Sequence, residues 1–246
     1  MEPIWHILFA IQLNALFFTT DNLNNIYAVK GNFSVVKYNS TGTKLFSYEV
    51  KAIGQPTSMD VSNPMKLMVY YKDYSTVVLL DNTLSEISKI NLSAINIVQP
   101  PVVCMSSDGN FWVMDETENR LKKIDAQLKV VAESEMLSGI SEINIQPQMM
   151  VEENNLLYVS DSTQGIFVFD RLGNFSNKIS LKGLKKFQVI NGHIFFQVGD
   201  MLHCYNKVIL EDNVFLTLPK NTRQFRLAKD RIYLMNDTYI SASPLE

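Results

Sequence analysis

Six short stretches decide the fold: NIYAV (residues 25–29), LMVYY (67–71), FWVMD (111–115), LYVSD (157–161), IFFQV (194–198) and RIYLM (231–235). Each is apolar and carries an aromatic. Taking Tyr27, Tyr70, Trp112, Tyr158, Phe196 and Tyr233 as markers, the spacing runs from 37 to 46 residues. That is the length of four short strands and three turns. A second strand follows most markers and often ends in Asn or Asp: SVVKYN (34–39), TVVLLD (76–81), RLKKID (120–125), GIFVFD (165–170) and MLHCYN (201–206). A third strand follows the next turn, as in KLFSYEV (44–50) and FSNKISL (175–181). Another strand precedes the marker, as in TSMDVS (57–62) and PVVCMS (101–106). Segments rich in Val, Ile, Tyr, Phe and Thr, broken by turn residues every ~8–12 positions, read as short antiparallel strands.

Four strands per unit and six units predict an all-β chain: a six-bladed β-propeller of four-stranded antiparallel blades. One such sheet cannot bury both faces alone. Packing every blade between two neighbours in a ring does so and leaves only short edges. An open β-sandwich or an irregular solenoid is the competing architecture. The whole chain, 1–246, is expected to be one domain.

The last unit lacks an outer strand, because only TYISAS follows RIYLM before the chain ends. Three segments share the pattern Ile-x-Leu-x-small-aliphatic: INLSAI (90–95), ISLKGL (179–184) and IQLNAL (11–16). The first two join an outer strand to the next blade. By analogy, Trp5–Leu13 is expected to be the missing outer strand, so that residues 1–16 close the ring. The alternative is an atypical signal segment, since Ile7–Phe18 resembles the apolar region of one. Against this, no Lys or Arg precedes the run, Glu2 is acidic, and Gln12 and Asn14 interrupt it. The run is also short of the ~20 apolar residues of a membrane-spanning helix, so no transmembrane span is expected.

Composition narrows the classes of function. The chain has 246 residues, is 46% apolar, 19% charged and 11% aromatic, and carries a net charge of −3. It is neither disordered nor a disulfide-stapled miniprotein. The slightly acidic balance argues against a nucleic-acid surface. Cys104 and Cys204 read as buried small hydrophobes. His6, His193 and His203 are scattered, and no Cys/His spacing suits zinc. There is no GxSxG, P-loop or GxGxxG motif, and nothing pairs a nucleophile with a base.

The phrases FFTTDNLNNIYAV with VVKYNSTGTKLFSY, LYVSDSTQGIFVFDRLGN and FWVMDETENRLKKIDAQL resemble the strand–turn–strand units of NHL-like six-bladed propellers. From Ile11 onward the chain is similar to uncharacterised bacterial exported propeller proteins. That resemblance implies a periplasmic or other extracytoplasmic protein. The usual basic, cleavable leader of such proteins is not seen here. Fold alone licenses no activity.

The turns after the marker strands share one end of the ring with the connections into each blade. Five of them hold an acid: Asp73, Asp115, Asp161, Asp200 and Asp237. With Tyr74 and Glu116 they form a candidate rim for a protein or glycan partner, or for a cation held by oxygen ligands. The competing reading is turn chemistry, because Asp bonds its own backbone in tight turns. The Asn and Asp residues ending the second strands, Asn39, Asp81, Asp125, Asp170 and Asn206, read as structural. So do Gln55-Pro56, Gln99-Pro100-Pro101 and Gln146-Pro147. Lys182, Lys185, Lys186, Lys207, Lys220, Arg223 and Arg226 read as a solvated basic edge, with an anion-binding patch as the alternative.

The leading expectation is therefore a non-enzymatic binding or scaffold propeller in the cell envelope. It is expected to be monomeric, with no resident cofactor and one rim facing a macromolecule. The alternative is a calcium-dependent, lactonase-like hydrolase with the metal in the central channel, for which Asp60, Glu152 and Asn191 are the channel-side candidates.

Overall fold

The computed structural model describes residues 5–141, 144–184 and 186–245, so Lys185 of the basic cluster lies outside the described residues. Six four-stranded antiparallel sheets form the ring. Blade 1 runs β2 (Ala15–Thr20), β3 (Ile26–Lys30), β4 (Val35–Tyr38) and β5 (Lys44–Tyr48). Blade 2 runs β6 (Ser58–Asp60), β7 (Leu67–Tyr71), β8 (Thr76–Leu80) and β9 (Glu86–Asn91). Blade 3 is β10 (Val103–Met105), β11 (Phe111–Asp115), β12 (Arg120–Ile124) and β13 (Val130–Glu133). Blade 4 is β14 (Met149–Glu153), β15 (Leu156–Asp161), β16 (Gly165–Asp170) and β17 (Phe175–Ile179). Blade 5 is β18 (Gln188–Ile190), β19 (His193–Val198), β20 (Met201–Asn206) and β21 (Glu211–Thr217). In blade 6, β22 (Gln224–Leu227), β23 (Arg231–Met235) and β24 (Tyr239–Pro244) are completed by β1 (Phe9–Gln12).

The opening segment therefore closes the ring as an outer strand. Phe9, Ala10, Ile11 and Gln12 stand opposite Ala242, Ser241, Ile240 and Tyr239. Two further backbone bonds flank the ladder, Leu8 N–H to Ala242 O at 2.8 Å and Leu13 N–H to Thr238 O at 2.9 Å. The strand is shorter than the expected Trp5–Leu13. Trp5 precedes it and packs on the cluster between blades 5 and 6.

Side-chain alternation explains why the marker strands are apolar throughout. In β3, Ile26 and Ala28 enter the cluster shared with blade 6, whereas Tyr27 and Val29 enter the one shared with blade 2. Six such clusters fill the gaps between consecutive blades, the last one joining blade 6 to blade 1. Outer strands have only one neighbouring sheet strand and are mostly exposed, as β5 and β17 show.

The marker aromatics also link blades through their polar atoms. Tyr70 Oη donates to Pro100 O of blade 3's leading connection at 2.7 Å. Trp112 Nε1 donates to Glu152 Oε2 of blade 4 at 2.8 Å. Tyr158 Oη accepts from Lys207 Nζ of blade 5 at 2.7 Å, and Tyr233 Oη donates to Asn24 O of blade 1 at 3.2 Å. A buried Tyr or Trp needs such a partner, so these four markers tie their blades to the next, whereas Tyr27 Oη donates to Asp21 of its own blade and Phe196 has no polar atom.

The second-strand ends are turn caps. Asp81 Oδ1 accepts from Thr83 N–H and Ser85 N–H, and Asp170 Oδ1 from Leu172 N–H and Asn174 N–H. Asn39 and Asp125 repeat the same pattern two and four residues on. Cys104 and Cys204 are free thiols; Cys104 is buried and Cys204 half-buried.

Candidate functional site

Each chain passes up and down its blade, so the turn after a marker strand lies at the same end as the connection into the next blade. That rim holds the seven candidate residues, and the structure divides them. Asp115 is 4% exposed. Its Oδ1 caps Thr117 N–H and Glu118 N–H, and its Oδ2 lies 2.8 Å from Lys122 Nζ. Lys122 also reaches Glu118 at 2.8 Å, and these two carboxylates lift its pKa despite its burial. Asp161 is 2% exposed. It accepts from Thr163 N–H and Oγ1 within its turn, and from Gln146 N–H of the connection entering its own blade. Burial would raise the Asp161 pKa, but these donors hold it below the ordinary aspartate value. Both acids serve their turns.

The other acids face solvent. Glu116 and Asp200 are exposed, and Asp237 accepts from Arg223 Nη1 at 2.8 Å. Asp73 lies in a 3-10 turn, Lys72–Tyr74, and is exposed. Tyr74 beside it is 52% exposed. Gln99 Nε2 donates to Asp73 O, and Gln99 N–H to Ser75 Oγ at 2.7 Å, so the next blade's leading connection braces this turn.

The metal candidates lie at the opposite end of the channel-side strands. Asp60 Oδ2 accepts from Met105 N–H of blade 3 at 2.9 Å, and its Oδ1 from Ser62 N–H. Glu152 Oε1 accepts from Ser107 N–H and Oγ of blade 3. Asn191 is in a turn with φ of 49°. Glu152 thus spends both oxygens on bonds to blade 3, and Asp60 spends one on blade 3 and one on its own turn. Among the described residues, no group of three His, Cys, Asp or Glu is placed to hold a metal ion.

The basic cluster does not form one solvated edge. Lys182 and Lys220 are exposed and Lys207 serves Tyr158, but Arg226 lies on β22, an innermost strand. Residues alternate there: Phe225 and Leu227 enter the cluster with blade 5, while Gln224 and Arg226 turn toward blade 1. Gln224 bridges to both the N–H and O of Phe18, and Gln188 of blade 5 does the same at Leu227. These amides act as bonds between channel-lining strands. Arg226 Nη2 donates to Thr19 Oγ1 of blade 1. The sequence signal was the basic run itself; what it could not show was which members fall on an innermost strand.

A cavity of about 440 Å³ opens on the same rim, lined among others by Leu16, Phe17, Gln55, Pro56, Asp73 and Lys186. These residues come from blades 1, 2 and 5. Blades 2 and 5 are opposite in a six-membered ring, so the cavity is the mouth of the central channel.

Solved structures share this architecture. A streptogramin B lyase structure matches with a TM-score of 0.63 at 14% identity, covering 93% of this chain and 78% of that one. A catalytically inactive virginiamycin B lyase from Staphylococcus aureus with quinupristin matches with a TM-score of 0.67 at 13% identity, covering 97% and 99%. BamB from Moraxella catarrhalis matches with a TM-score of 0.54 at 12% identity, covering 93% and 84%. At such identities the likeness shows the fold. No protein-family model and no curated protein sequence matches the chain.

Proposed function

We propose that this chain is a binding propeller of the cell envelope that presents the marker-turn rim to a macromolecular partner. One observation carries the reading: exposed Tyr74 and the solvent-facing acids Asp73, Glu116 and Asp200 share a rim with the open channel mouth. Exposed aromatics beside adaptable polar groups suit a recognition surface. The envelope assignment follows from the resemblance to exported bacterial propellers. The lyase structure above is a catalytically inactive His-to-Ala variant. Here His193 begins β19 at the opposite rim, and His203 lies in β20, bonded to Asp212 at 3.0 Å and stacked on Phe196.

A photoreactive amino acid placed at residue 74 tests the reading in an envelope extract. A discrete adduct, diminished by Asp73→Asn and Asp200→Asn together, is expected. The opposite rim carries the exposed hairpin residues Val208, Ile209 and Leu210. Capture that survives the rim substitutions but is lost with Val208→Ser and Leu210→Ser would overturn the reading.

A further inference from the structure

We propose that the outer edge of the opposite rim docks on a lipid bilayer, with the β20–β21 hairpin tip Val208-Ile209-Leu210 entering the apolar layer and Leu172 and Ile7-Leu8 resting on either side of it. The inference goes beyond the rim reading and does not depend on it.

Equivalent turns differ around the ring. In blades 1 to 5 the second strand ends in an Asn or Asp that caps the turn after it. Two residues beyond the cap stand Thr41, Thr83 and Gln127 in blades 1 to 3, all polar and exposed. In blades 4 and 5 the same position holds Leu172 and Val208, both exposed. Blade 6 has no such turn, but its outer strand β1 is entered from this rim through Ile7 and Leu8, which are also exposed. At the outer turns, then, three blades are polar and the next three aliphatic. Leu23 and Met65 are exposed singly on inner turns of blades 1 and 2, as scattered apolar residues commonly are.

The blade 5 tip is built unlike its counterparts. Leu210 holds the left-handed conformation, φ 59°, which is costly for leucine. Leu84 and Leu128 hold it in blades 2 and 3 as well, but there the side chain packs on the core, which offsets the cost. The blade 5 turn is longer, with four residues between the paired Asn206 and Glu211, and its leucine turns outward. Val208, Ile209 and Leu210 are 83, 58 and 70% exposed. No charge lies among them, because Lys207 is drawn back onto Tyr158 Oη at 2.7 Å. Asn206 Oδ1 accepts from Val208 N–H at 2.9 Å and Ile209 N–H at 3.4 Å. These backbone donors keep a partner out of water, as entry into lipid requires.

Shape selects the partner. A protein or a second copy needs about 800 Å² of complementary surface per side, which three side chains on a protruding tip do not supply. A bilayer conforms to a protrusion and binds it in proportion to the apolar area inserted. Among the described residues no helix is long and apolar enough to cross a membrane, so this attachment is peripheral.

Flotation of the full chain with phosphatidylcholine vesicles tests the proposal. The chain should float with the vesicles and stay bound in high salt, which screens exposed charges and leaves apolar insertion intact. Ile209→Trp should gain an emission that brominated lipid quenches more than in wild type. Val208→Ser with Leu210→Ser should weaken partitioning about tenfold or more, and Leu172→Ser by a smaller factor, whereas Leu23→Ser leaves it unchanged. All four side chains are exposed, so the variants keep the fold. No flotation overturns the proposal. So does release by high salt, an equal loss from Leu23→Ser, or a dimer that the tip substitutions abolish. Asp73→Asn with Asp200→Asn should leave flotation unchanged. Loss of the photo-adduct at residue 74 with flotation intact would refute the rim reading and leave this surface standing.

Discussion

Removing the Glu152 carboxylate should loosen blades 3 and 4. Glu152 is 8% exposed and accepts three bonds from blade 3: Ser107 N–H at 2.9 Å, Ser107 Oγ at 2.7 Å and Trp112 Nε1 at 2.8 Å. Trp112 is fully buried, so its indole N–H has no water to turn to. Bonds to a charged acceptor contribute about 1.5–3 kcal/mol each and are not additive here, because they share one group. Glu152→Ala leaves the donors stranded and should cost about 3–5 kcal/mol. Glu152→Gln keeps the shape and one acceptor oxygen, and should cost about 1–2 kcal/mol. Burial alone would raise the Glu152 pKa, but the donors overcome it and hold the value below the ordinary 4.5. A depressed carboxylate contributes stability that is complete above its unfolded value and is lost as pH falls through the folded one. The gap between wild type and Glu152→Gln in urea unfolding should therefore be full at neutral pH and close in acid below pH 4.5. A Glu152→Ala cost under about 1 kcal/mol, no more than one ordinary hydrogen bond, would refute the clamp. A gap that persists unchanged into strong acid would refute its electrostatic basis.

Three other outcomes follow from the same geometry. Asp115→Ala strands two turn amides and leaves the buried Lys122 with Glu118 as its remaining carboxylate, and should lower stability by about 2–4 kcal/mol, whereas Asp73→Ala on the exposed turn should stay within about 0.5 kcal/mol; thermal melts of the pair check this. Gly165→Ala should cost more than about 2 kcal/mol, since φ is +117° and an added Cβ would meet the Ile179 carbonyl; a chemical denaturation midpoint shows it. Lys186→Gln should raise the melting temperature, because burial at the mouth, and then the charges of Arg226 and Arg223, disfavour the ammonium. As the folded state binds this proton less well than the unfolded one, wild-type stability should rise with pH toward the ordinary lysine range and the advantage of Lys186→Gln should shrink.

The architecture was legible because marker strands serve two clusters at once. LMVYY, FWVMD and RIYLM match β7, β11 and β23 residue for residue. The pattern in IQLNAL revealed the crossing from an outer strand to the next blade, with Leu13 buried as Leu92 is. The rim was legible only in outline. Asp115 and Asp73 hold equivalent turns, yet one is buried against Lys122 and the other is exposed, because β12 supplies a lysine seven residues on. The equivalent position of blade 2 is Val78, which faces Val69 as Lys122 faces Val113. Likewise Glu152 and Asp60 look like channel ligands in one dimension. Their partners, Trp112 and Met105, are about 40 and 45 residues away, one blade's length.

Hydrogen exchange across β24 tests the closed ring most directly. In the full chain the amides of Tyr239–Pro244 that bond to β1 should exchange as slowly as those of β23, and in a chain lacking residues 1–13 that protection should vanish while β11 and β15 keep theirs. Equal protection of β24 with and without the opening segment would contradict the account.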